Sequence, residues 1–513
     1  MAQQRDLFLG IDVGTSGTKA LLVTGDGRPL ESATVEYPLH WPRPGWAEQD
    51  AEDWWQATVE ATRRVLRKAG VDGSAVAAVG FSGQMHGSVF LDERGEVIRP
   101  PILWCDVRTA AQCRTITEKV GGRERLIELT GNPALEGFTA PKVVWLMENE
   151  PDAYARVRHV VLPKDFVRYR LTGELATEVS DAAGTLLFDV AKGEWSQPVL
   201  DALGIKRELL PPVLQSFDVA GKVTAEAAAA TGLLVGTPVV AGGADNTCGA
   251  VGAGIVREGV FLSSIGSSGV VLTPSDTMAK DPAGRVHTFN HSTAGQWYLM
   301  GVTLSAGLSL KWFRDQMGHA EKAIEAAGGP DAYDLLAAQA SQSPPGSRGL
   351  FFLPYLNGER TPHADANARA VFFGLSGAHT RADMVRSVFE GVAFSLRDSV
   401  EIMRELGREV TEIRAIGGGA KSPLWRQIQA DVFGADVLTL EIDEGPAFGA
   451  ALLAMVGAGR YSSVVEAADK TVRTKDRTRP TDNRAVYDKA YQFYRSLYPA
   501  FKERYAALAE LSL

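Results

Sequence analysis

The chain has 513 residues, of which 45% are hydrophobic and 22% are charged, a composition typical of a soluble globular protein. That length exceeds what one ordinary hydrophobic core supports, so we expect two large domains, residues 1–256 and 257–513. The 53 basic residues are outnumbered by 62 acidic ones, giving a formal net charge of −9 without any basic block, which excludes non-specific nucleic-acid binding.

The sequence predicts neither a signal peptide nor a membrane span. The first six residues run directly into an apolar strand, without the long apolar region of a signal peptide. The stretch 232–256 is apolar, but its glycines, together with Asp245 and Asn246, favour buried strand and turn. Three cysteines without zinc-ligand spacing indicate reduced thiols, so we expect a cytoplasmic protein.

The first predicted element is a hairpin whose turn is rich in glycine. Apolar runs at 7–9 and 20–23 flank this turn, and Asp26-Gly27 then suits a two-residue hairpin turn. Gly14 and Gly17 permit positive φ and the close approach of a ligand, because they lack a Cβ. Successive N–H groups in such a turn form a concavity that accommodates phosphate oxygens.

Polar side chains around this turn suit a metal–phosphate site. Asp12 at its mouth would repel a bare polyphosphate, whereas with Mg²⁺ present it would hold the ion directly or through water. Hydroxyl donors and a positive charge are supplied by Thr15, Ser16, Thr18 and Lys19. An ordinary hairpin with a polar turn is the alternative, since one glycine-rich turn is a weak signal.

A second turn with a similar sequence, later in the chain, favours the phosphate interpretation. Gly266, Ser267, Ser268 and Gly269 again follow an apolar run and precede a strand at 270–272. Two such hairpins, half a chain apart, predict duplicated domains that bind one polyphosphate from both sides. The turns are neither a Walker A loop, since no Gly-Lys-Ser/Thr follows, nor a Rossmann fingerprint, since a strand leaves them.

After a helix predicted over 53–69, a buried strand at 76–81 ends in a polar loop. Gln84-Met85-His86 interrupts the apolar pattern at this strand end, where α/β proteins place ligand sites. We expect His86 to donate to a sugar hydroxyl and Met85 to line the pocket; a structural histidine is the alternative. Trp104 would stack on a sugar face, while Asp106 and Arg108 are also compatible with decorating a helix at 109–120.

A strand at 239–243 leads to Asp245, followed by small residues from Cys248 to Gly254. A carboxylate at the end of a buried strand, with room for a ligand beside it, is a candidate general base. Asp is also favoured at helix N-caps, so a capping role is the alternative. Both roles are compatible, because Asn246 or Thr247 would then cap the helix.

The second half of the chain also alternates strands and helices. Strands are predicted at 351–355, 413–416 and 437–440, and helices from 305, over 382–406, from 446 and from 483. Ser422 followed by Pro423 is a strong helix start. The glycines at 417–419 would admit adenine or its ribose, or would serve chain reversal alone.

These segments together resemble the FGGY family of carbohydrate kinases over nearly the whole chain. Residues 137–149, with Thr139, Lys142 and Trp145, are similar to the first family signature, and residues 370–390 to the second. The run Ser-Gly-Gln-Met-His-Gly at 82–87 is similar to the xylulokinase members. Further segments similar to those members lie at 163–165, 180–185 and 358–363.

The resemblance implies an α/β, two-domain, actin-like fold of the ribonuclease H type, with the active site in the cleft between domains. Residues 1–256 would bind the sugar and carry the catalytic base, and residues 257–513 would bind the nucleotide. The implied reaction is ATP-dependent, Mg²⁺-assisted phosphorylation of D-xylulose at its C5 hydroxyl. The implied partners are the sugar and ATP, with a homodimer left open.

The resemblance also implies roles for individual residues. Asp245 would be the catalytic base, Asp12 would organise Mg-ATP, and Met85 and His86 would contact the sugar, beside Trp104 and Asn246. The implied nucleotide contacts are Thr15, Ser16, Lys19, Gly266, Ser267, Ser268, Gly307, Gly418, Gly419 and Ser422. The second turn reads Gly-Ser-Ser-Gly where Gly-Thr-Ser-Gly is usual in the family, which keeps the hydroxyl.

Three other functions stay open on the sequence alone. Another sugar or polyol kinase of the same family, ribulokinase-like or gluconokinase-like, is opposed by the Met85-His86 pair. A non-catalytic sugar sensor is opposed by the presence of both Asp12 and Asp245. A chaperone-type ATPase or a filament protein would not need a Gln-Met-His loop.

Overall fold

The computed structural model describes residues 6–511, and its core elements are two seven-stranded mixed sheets. The first runs, from edge to edge, Val219–Lys222, Pro238–Val240, Val76–Gly83, Leu7–Val13, Gly17–Thr24 and Pro29–Glu36, with Gly243–Ala244 beside Val76–Gly83. The second runs His287–Asn290, Trp297–Thr303, Gly269–Ser275, Val260–Ile265, Glu412–Ile416, Asp436–Leu440 and Thr474–Thr478.

The two sheets share one plan. Each has a central antiparallel hairpin, Leu7–Val13 with Gly17–Thr24 in the first and Val260–Ile265 with Gly269–Ser275 in the second. A third antiparallel strand flanks each hairpin on one side, and a parallel strand flanks it on the other. This repetition is the duplicated architecture that the second glycine-rich turn, residues 266–269, predicted. Each hairpin carries one of the two turns.

Helices and small strand pairs surround the sheets. The helices of the first half are Ala51–Ala69, Ala110–Val120, Arg123–Thr130, Thr139–Asn149, Pro151–Arg156, Pro163–Thr172, Val179–Ala183, Gln197–Leu203, Ala225–Thr231 and Asp245–Gly252. Those of the second half are Gly307–Met317, His319–Ala326, Ala332–Ala340, Arg381–Glu405, Pro423–Phe433, Pro446–Gly457, Val464–Thr471 and Arg484–Glu510. Single turns of 3₁₀ helix cover Arg207–Leu209, Ser347–Gly349 and Gly418–Lys421. Strand pairs are Val89–Leu91 with His159–Val161, Thr177–Glu178 with Val213–Leu214, Phe188–Asp189 with Glu194–Trp195, and Phe351–Leu353 with Val371–Phe373.

Local capping explains where the predicted helices begin and end. The helix Ala51–Ala69 begins two residues earlier than predicted, because the Asp50 side chain accepts from the Glu52 N–H. It ends at Gly70, which has φ of 64°, as the sequence predicted. Ser422 caps the helix Pro423–Phe433, as predicted, because its side chain accepts from the Trp425 N–H at 3.3 Å and Pro423 occupies the first turn.

The helix Pro446–Gly457 joins the two halves. Although it follows a strand of the second sheet, it packs on Phe8, Leu21 and Ala78 of the first sheet. A Cβ at Gly10 would lie 1.9 Å from the Ala447 carbonyl oxygen, so only glycine permits this approach. The division at 256/257 therefore stays a proposal, because this helix of the second half packs on the first sheet.

Across residues 6–511, no helix combines the length and apolar character needed to cross a membrane.

Candidate active site

A cavity of about 280 Å³, the Asp245 pocket, lies beyond the end of the strand Val76–Gly83. Both halves of the chain contribute to its walls: Met85, His86, Trp104, Leu135, Gly137, Phe138, Asp245, Asn246, Ser268, Val270, His287, Phe289, Met300, Val302 and Arg360. The residues predicted to contact a sugar, namely Met85, His86, Trp104, Asp245 and Asn246, all line it. The pocket mixes aromatic and aliphatic walls with a few convergent polar groups, as small-molecule sites do.

His86 stands in a conformation that the surrounding backbone enforces. Its φ is 68°, in the left-handed region, and its Nδ1 lies 2.6 Å from the Gly184 carbonyl oxygen. Burial lowers the pKa of His86 to about 3, so the ring is neutral at pH 7. Because a carbonyl oxygen only accepts, Nδ1 carries the proton and Nε2 is an acceptor. The expectation that His86 donates to a sugar hydroxyl is therefore wrong: its free nitrogen accepts.

Two side chains from the helix Thr139–Asn149 hold the His86 backbone. The His86 carbonyl oxygen accepts from Thr139 Oγ1 at 3.0 Å and from Lys142 Nζ at 2.9 Å. Lys142 also donates to the Gly137 carbonyl oxygen, and burial lowers its pKa to about 7. Both residues belong to the first family signature, but nothing in their spacing showed that they hold residue 86.

Asp245 is the first residue of the helix Asp245–Gly252, and the N-cap position belongs to Ala244. The capping interpretation of Asp245 is therefore wrong, since its Oδ1 accepts only from the adjacent Asn246 N–H, at 2.7 Å. Burial, with a smaller contribution from the Asp12 charge, raises the pKa of Asp245 to about 7. A carboxylate with such a pKa is suited to accept a proton near neutral pH. Asn246 Nδ2 meets the Met85 Sδ at 3.4 Å and so fixes the adjoining wall.

Asp12 is a second carboxylate near this pocket, and it is partly buried. Burial raises its pKa to about 6, and its Oδ1 is buried without a hydrogen-bond partner. An unpartnered carboxylate oxygen is a suitable ligand for Mg²⁺, which often takes one or two carboxylates and completes its shell with water and phosphate. Among residues 6–511, no group of three or more His, Cys, Asp or Glu side chains is placed to hold a metal ion. The donor set therefore fits the expected ion.

A second cavity, the Ser422 pocket, has a volume of about 580 Å³. The predicted nucleotide contacts that line it are Gly266, Ser267, Gly307, Gly418, Gly419 and Ser422. Gly307 N–H donates to the Gly266 carbonyl oxygen at 2.8 Å, and a Cβ at Gly307 would lie 2.3 Å from that oxygen. Glycine at 307 therefore keeps the second turn in place as well as leaving space. Asp331, Tyr333 and Trp425 complete walls that the sequence did not indicate.

One turn serves both pockets. Gly266 and Ser267 face the Ser422 pocket, whereas Ser268, the next residue, lines the Asp245 pocket. Ser268 was predicted among the nucleotide contacts, and it shares its pocket with the candidate base. The two cavities therefore meet at residues 266–268.

The first turn is less available than the sequence suggested. Lys19 Nζ donates to Glu444 Oε2 at 2.6 Å and to the Glu444 carbonyl oxygen at 3.0 Å. Thr15 Oγ1 accepts from Trp104 Nε1 at 2.9 Å, and neither Thr15, Ser16 nor Lys19 lines either pocket. Their proposed phosphate contacts stay predictions, and the contact of Lys19 requires that it release Glu444.

Asp106 makes contacts that stabilise the fold and lies outside the pocket. It is fully buried, accepts from the Ala47 N–H at 2.6 Å and pairs with Arg108 at 2.6 Å. Arg108 in turn lies over the Trp46 ring, 3.6 Å from its centroid. Asp106 does not line the Asp245 pocket.

Arg360 is a pocket residue that sequence reasoning missed. Within the described chain, its guanidinium makes no hydrogen bond and no ion pair, although it lines the Asp245 pocket. It lies in the loop 357–363, whose residues 358–363 resemble a xylulokinase segment, but the sequence assigned no role to Arg360 itself. Phe138, His287 and Phe289 were missed because apolar spacing gives aromatic residues no sign of a ligand wall.

Comparison with known proteins identifies the family of this chain. Two family models match, one for the N-terminal domain of FGGY carbohydrate kinases at residues 7–252 and one for the C-terminal domain at residues 261–458. The chain belongs to the FGGY family of carbohydrate kinases. Its two-domain actin-like fold is that of the family, as the resemblance implied.

Similar proteins include kinases for more than one sugar. A xylulose kinase of Bacillus subtilis strain 168 is 42% identical over 98% of this chain and 97% of its own length. A solved xylulose kinase from Rhodospirillum rubrum is 31% identical with a TM-score of 0.89, and the match covers 98% of this chain and 100% of that one. A solved gluconate kinase from Lactobacillus acidophilus is 27% identical with a TM-score of 0.90, covering 98% of this chain and 99% of its own.

Proposed function

We propose that this FGGY kinase transfers the γ-phosphoryl group of ATP to the C5 hydroxyl of D-xylulose. The observation that carries the proposal is the shared turn, which borders the Asp245 pocket through Ser268 and the Ser422 pocket through Gly266 and Ser267. A nucleotide in one cavity and a sugar in the other would meet at this turn. The xylulose kinases similar to this chain supply the substrate class.

Asp245 would serve as the general base. A sugar hydroxyl is a weak nucleophile until its proton can leave, and a carboxylate in the same pocket would accept that proton late in the transfer. The raised pKa of Asp245, about 7, makes the carboxylate a stronger base than an exposed aspartate. Met85 and the Nε2 acceptor of His86 would orient the sugar in the pocket.

Charge developing on the transferred group would be met from both turns. Backbone N–H groups at 266–268 would stabilise the phosphoryl oxygens, as preorganised dipoles do. Asp12, through its unpartnered Oδ1, would hold Mg²⁺, and the ion would neutralise charge on the nucleotide phosphates. Water would compete with the sugar for the phosphoryl group, so closing of the cleft would exclude it.

A coupled ADP-release assay tests the proposed substrate. We expect D-xylulose to have the highest kcat/KM in a panel with D-ribulose, L-ribulose, glycerol and gluconate, and slow ATP hydrolysis without sugar. A clear preference for gluconate or glycerol would contradict the substrate while leaving the kinase assignment standing. Gluconate is the informative competitor, since a solved gluconate kinase has nearly the same fold.

Two wider proposals accompany this function. A cytoplasmic location agrees with an ATP-consuming reaction and with the free thiols of Cys105, Cys113 and Cys248. A homodimer is the proposed assembly, and analytical ultracentrifugation across a concentration series would test it.

A further inference from the structure

The Asp245 carboxylate is placed by the backbone that leads into it. Within residues 6–511, its side chain has one hydrogen bond, from the N–H of the adjacent Asn246. No more distant side chain orients it by a hydrogen bond, so its place in the pocket depends on residue 244. Ala244 is fully buried, and its N–H donates to Ser180 Oγ at 3.0 Å. The Ser180 hydroxyl therefore holds the backbone next to the candidate base.

Ser180 is itself fixed by a buried carboxylate. Its hydroxyl donates to Glu178 Oε2 at 2.8 Å, which leaves the hydroxyl oxygen free to accept from the Ala244 N–H. Glu178 also accepts from the Ser180 N–H and from Ser216 Oγ, each at 2.8 Å. Lys164 Nζ lies 3.3 Å from Glu178 Oε1 and compensates the charge of this carboxylate. Ser180 and Glu178 are both fully buried, so the connection to Ala244 is shielded from water.

The short helix that contains Ser180 also holds the opposite wall of the pocket. It spans Val179–Ala183 and ends at Gly184, whose carbonyl oxygen lies 2.6 Å from His86 Nδ1. That contact uses the backbone of Gly184 and does not involve the Ser180 hydroxyl. Loss of the hydroxyl should therefore disturb Asp245 and leave His86 in place.

We propose that Ser180 is a positioning residue for Asp245, through its hydrogen bond with the Ala244 N–H. This role presupposes the proposed kinase reaction, in which Asp245 is the base. A general base must lie within hydrogen-bond reach of the hydroxyl that it deprotonates. Without the Ser180 hydroxyl, the buried Ala244 N–H would lack its acceptor, which favours a shift of this backbone towards another partner.

Steady-state kinetics with D-xylulose test this role in three variants. Ser180→Ala removes the acceptor, and Ser180→Cys nearly keeps the side-chain size with a much weaker acceptor. Ser216→Ala is the matched control, because it removes a buried hydroxyl whose hydrogen bond is to Glu178 and not to Ala244. We expect kcat to fall by roughly 10- to 100-fold in Ser180→Ala, as for a small displacement of a reacting group, and by less in Ser180→Cys. Ser216→Ala should keep the wild-type kcat, and KM for the sugar should change little in all three variants.

A titration that needs no turnover gives a second readout. Carboxyl ¹³C NMR of aspartate-labelled protein reports the pKa of Asp245, whose signal is assigned by its loss in Asp245→Asn. Burial is the main reason that this pKa is raised to about 7. A displaced Asp245 that gains water should therefore have a lower pKa in Ser180→Ala, and an unchanged one in Ser216→Ala. A purely structural role of Ser180 would lower the melting temperature without moving this pKa.

Three results would overturn the role of Ser180. They are a wild-type kcat in Ser180→Ala, an equal loss of kcat in Ser216→Ala, or an Asp245 pKa that is unchanged in Ser180→Ala. If Ser180→Ala does not fold, Ser180→Cys takes its place in both measurements, with smaller effects of the same direction. Wild-type protein that does not phosphorylate D-xylulose would instead refute the proposed substrate, and the NMR titration would still decide whether Ser180 positions Asp245.

Discussion

At the residue scale, a substitution of Asp245 distinguishes a catalytic role of this residue from a structural one. Asn keeps the side-chain shape and the contact with the Asn246 N–H, but it cannot accept a proton as a carboxylate does. We expect Asp245→Asn to fold and bind both ligands, with kcat lower by roughly 10²–10⁴-fold, the range for a positioned general base. Turnover near wild type, at an unchanged melting temperature, would remove Asp245 from the mechanism.

The pH dependence follows from the same carboxylate. Burial and, secondarily, the Asp12 charge raise the pKa of Asp245 to about 7 in the free protein. The base works only when deprotonated, so kcat/KM should rise with pH up to about 7 and level above it, and fall tenfold per pH unit well below it. A pH–rate profile measured with saturating Mg²⁺ checks this, and Asp245→Asn should lack that limb. An acid limb near pH 4 in wild type would contradict the raised pKa.

At the scale of elements, the sequence predicted most of what neighbouring residues determine. The hairpin turns, the helix end at Gly70 and the start at Ser422-Pro423 depend on φ preferences and caps within a few residues. The helix predicted from residue 53 begins two positions earlier, at Ala51, where Asp50 acts as the cap.

What escaped prediction depends on contacts between distant segments. His86 is held by Thr139, Lys142 and Gly184, which lie 53, 56 and 98 residues away in the chain. The spacing of apolar residues cannot predict contacts between residues so far apart in the sequence. The tautomer of His86 could be assigned only from its contact with the Gly184 carbonyl oxygen. Arg360 was missed for a different reason, because an arginine in a polar loop is usually a solvated charge.

The helix Thr139–Asn149 should therefore position the sugar loop through Lys142. Lys142→Met keeps the apolar stem and removes the donor to the carbonyl oxygens of His86 and Gly137. We expect KM for sugar to rise several-fold with a smaller change in kcat, because positioning of a binding residue is lost rather than the base. Lys142→Arg, which retains a donor, is the matched comparison and should recover part of the affinity. Equal KM in both variants and wild type, with folding intact, would make Lys142 purely structural.

At the scale of the whole molecule, the two halves share a hydrophobic core, and the helix Pro446–Gly457 with the loop before it adds contacts on the first sheet and at the first turn. The helix Pro446–Gly457 packs on the first sheet, and Gly449 approaches the Cys248 carbonyl oxygen so closely that a Cβ there would lie 1.8 Å from it. The loop before this helix carries Glu444, which forms an ion pair with Lys19 of the first turn. These contacts place a close backbone approach and a solvent-accessible ion pair between the two halves.

Closure of the cleft is the corresponding prediction. The second turn already borders both pockets, but Lys19 must exchange Glu444 for a phosphate before both turns can bind one ATP. The half-exposed Lys19–Glu444 pair, with side chains 28% and 33% accessible, contributes little to stability, so a nucleotide can displace it. We expect D-xylulose plus a non-hydrolysable ATP analogue to reduce the radius of gyration in solution X-ray scattering.

Single ligands and one variant make this experiment decisive. Each ligand alone should give a smaller decrease than the pair, since binding energy from both is needed to assemble the site. Glu444→Gln weakens the competing partner of Lys19, so it should lower the analogue concentration that produces half of the change. Asp245→Asn should close like wild type, because it lacks the base but keeps the binding surfaces. Scattering curves that coincide with and without both ligands would show that the two turns do not move together, and Lys19 would then lose its proposed phosphate contact.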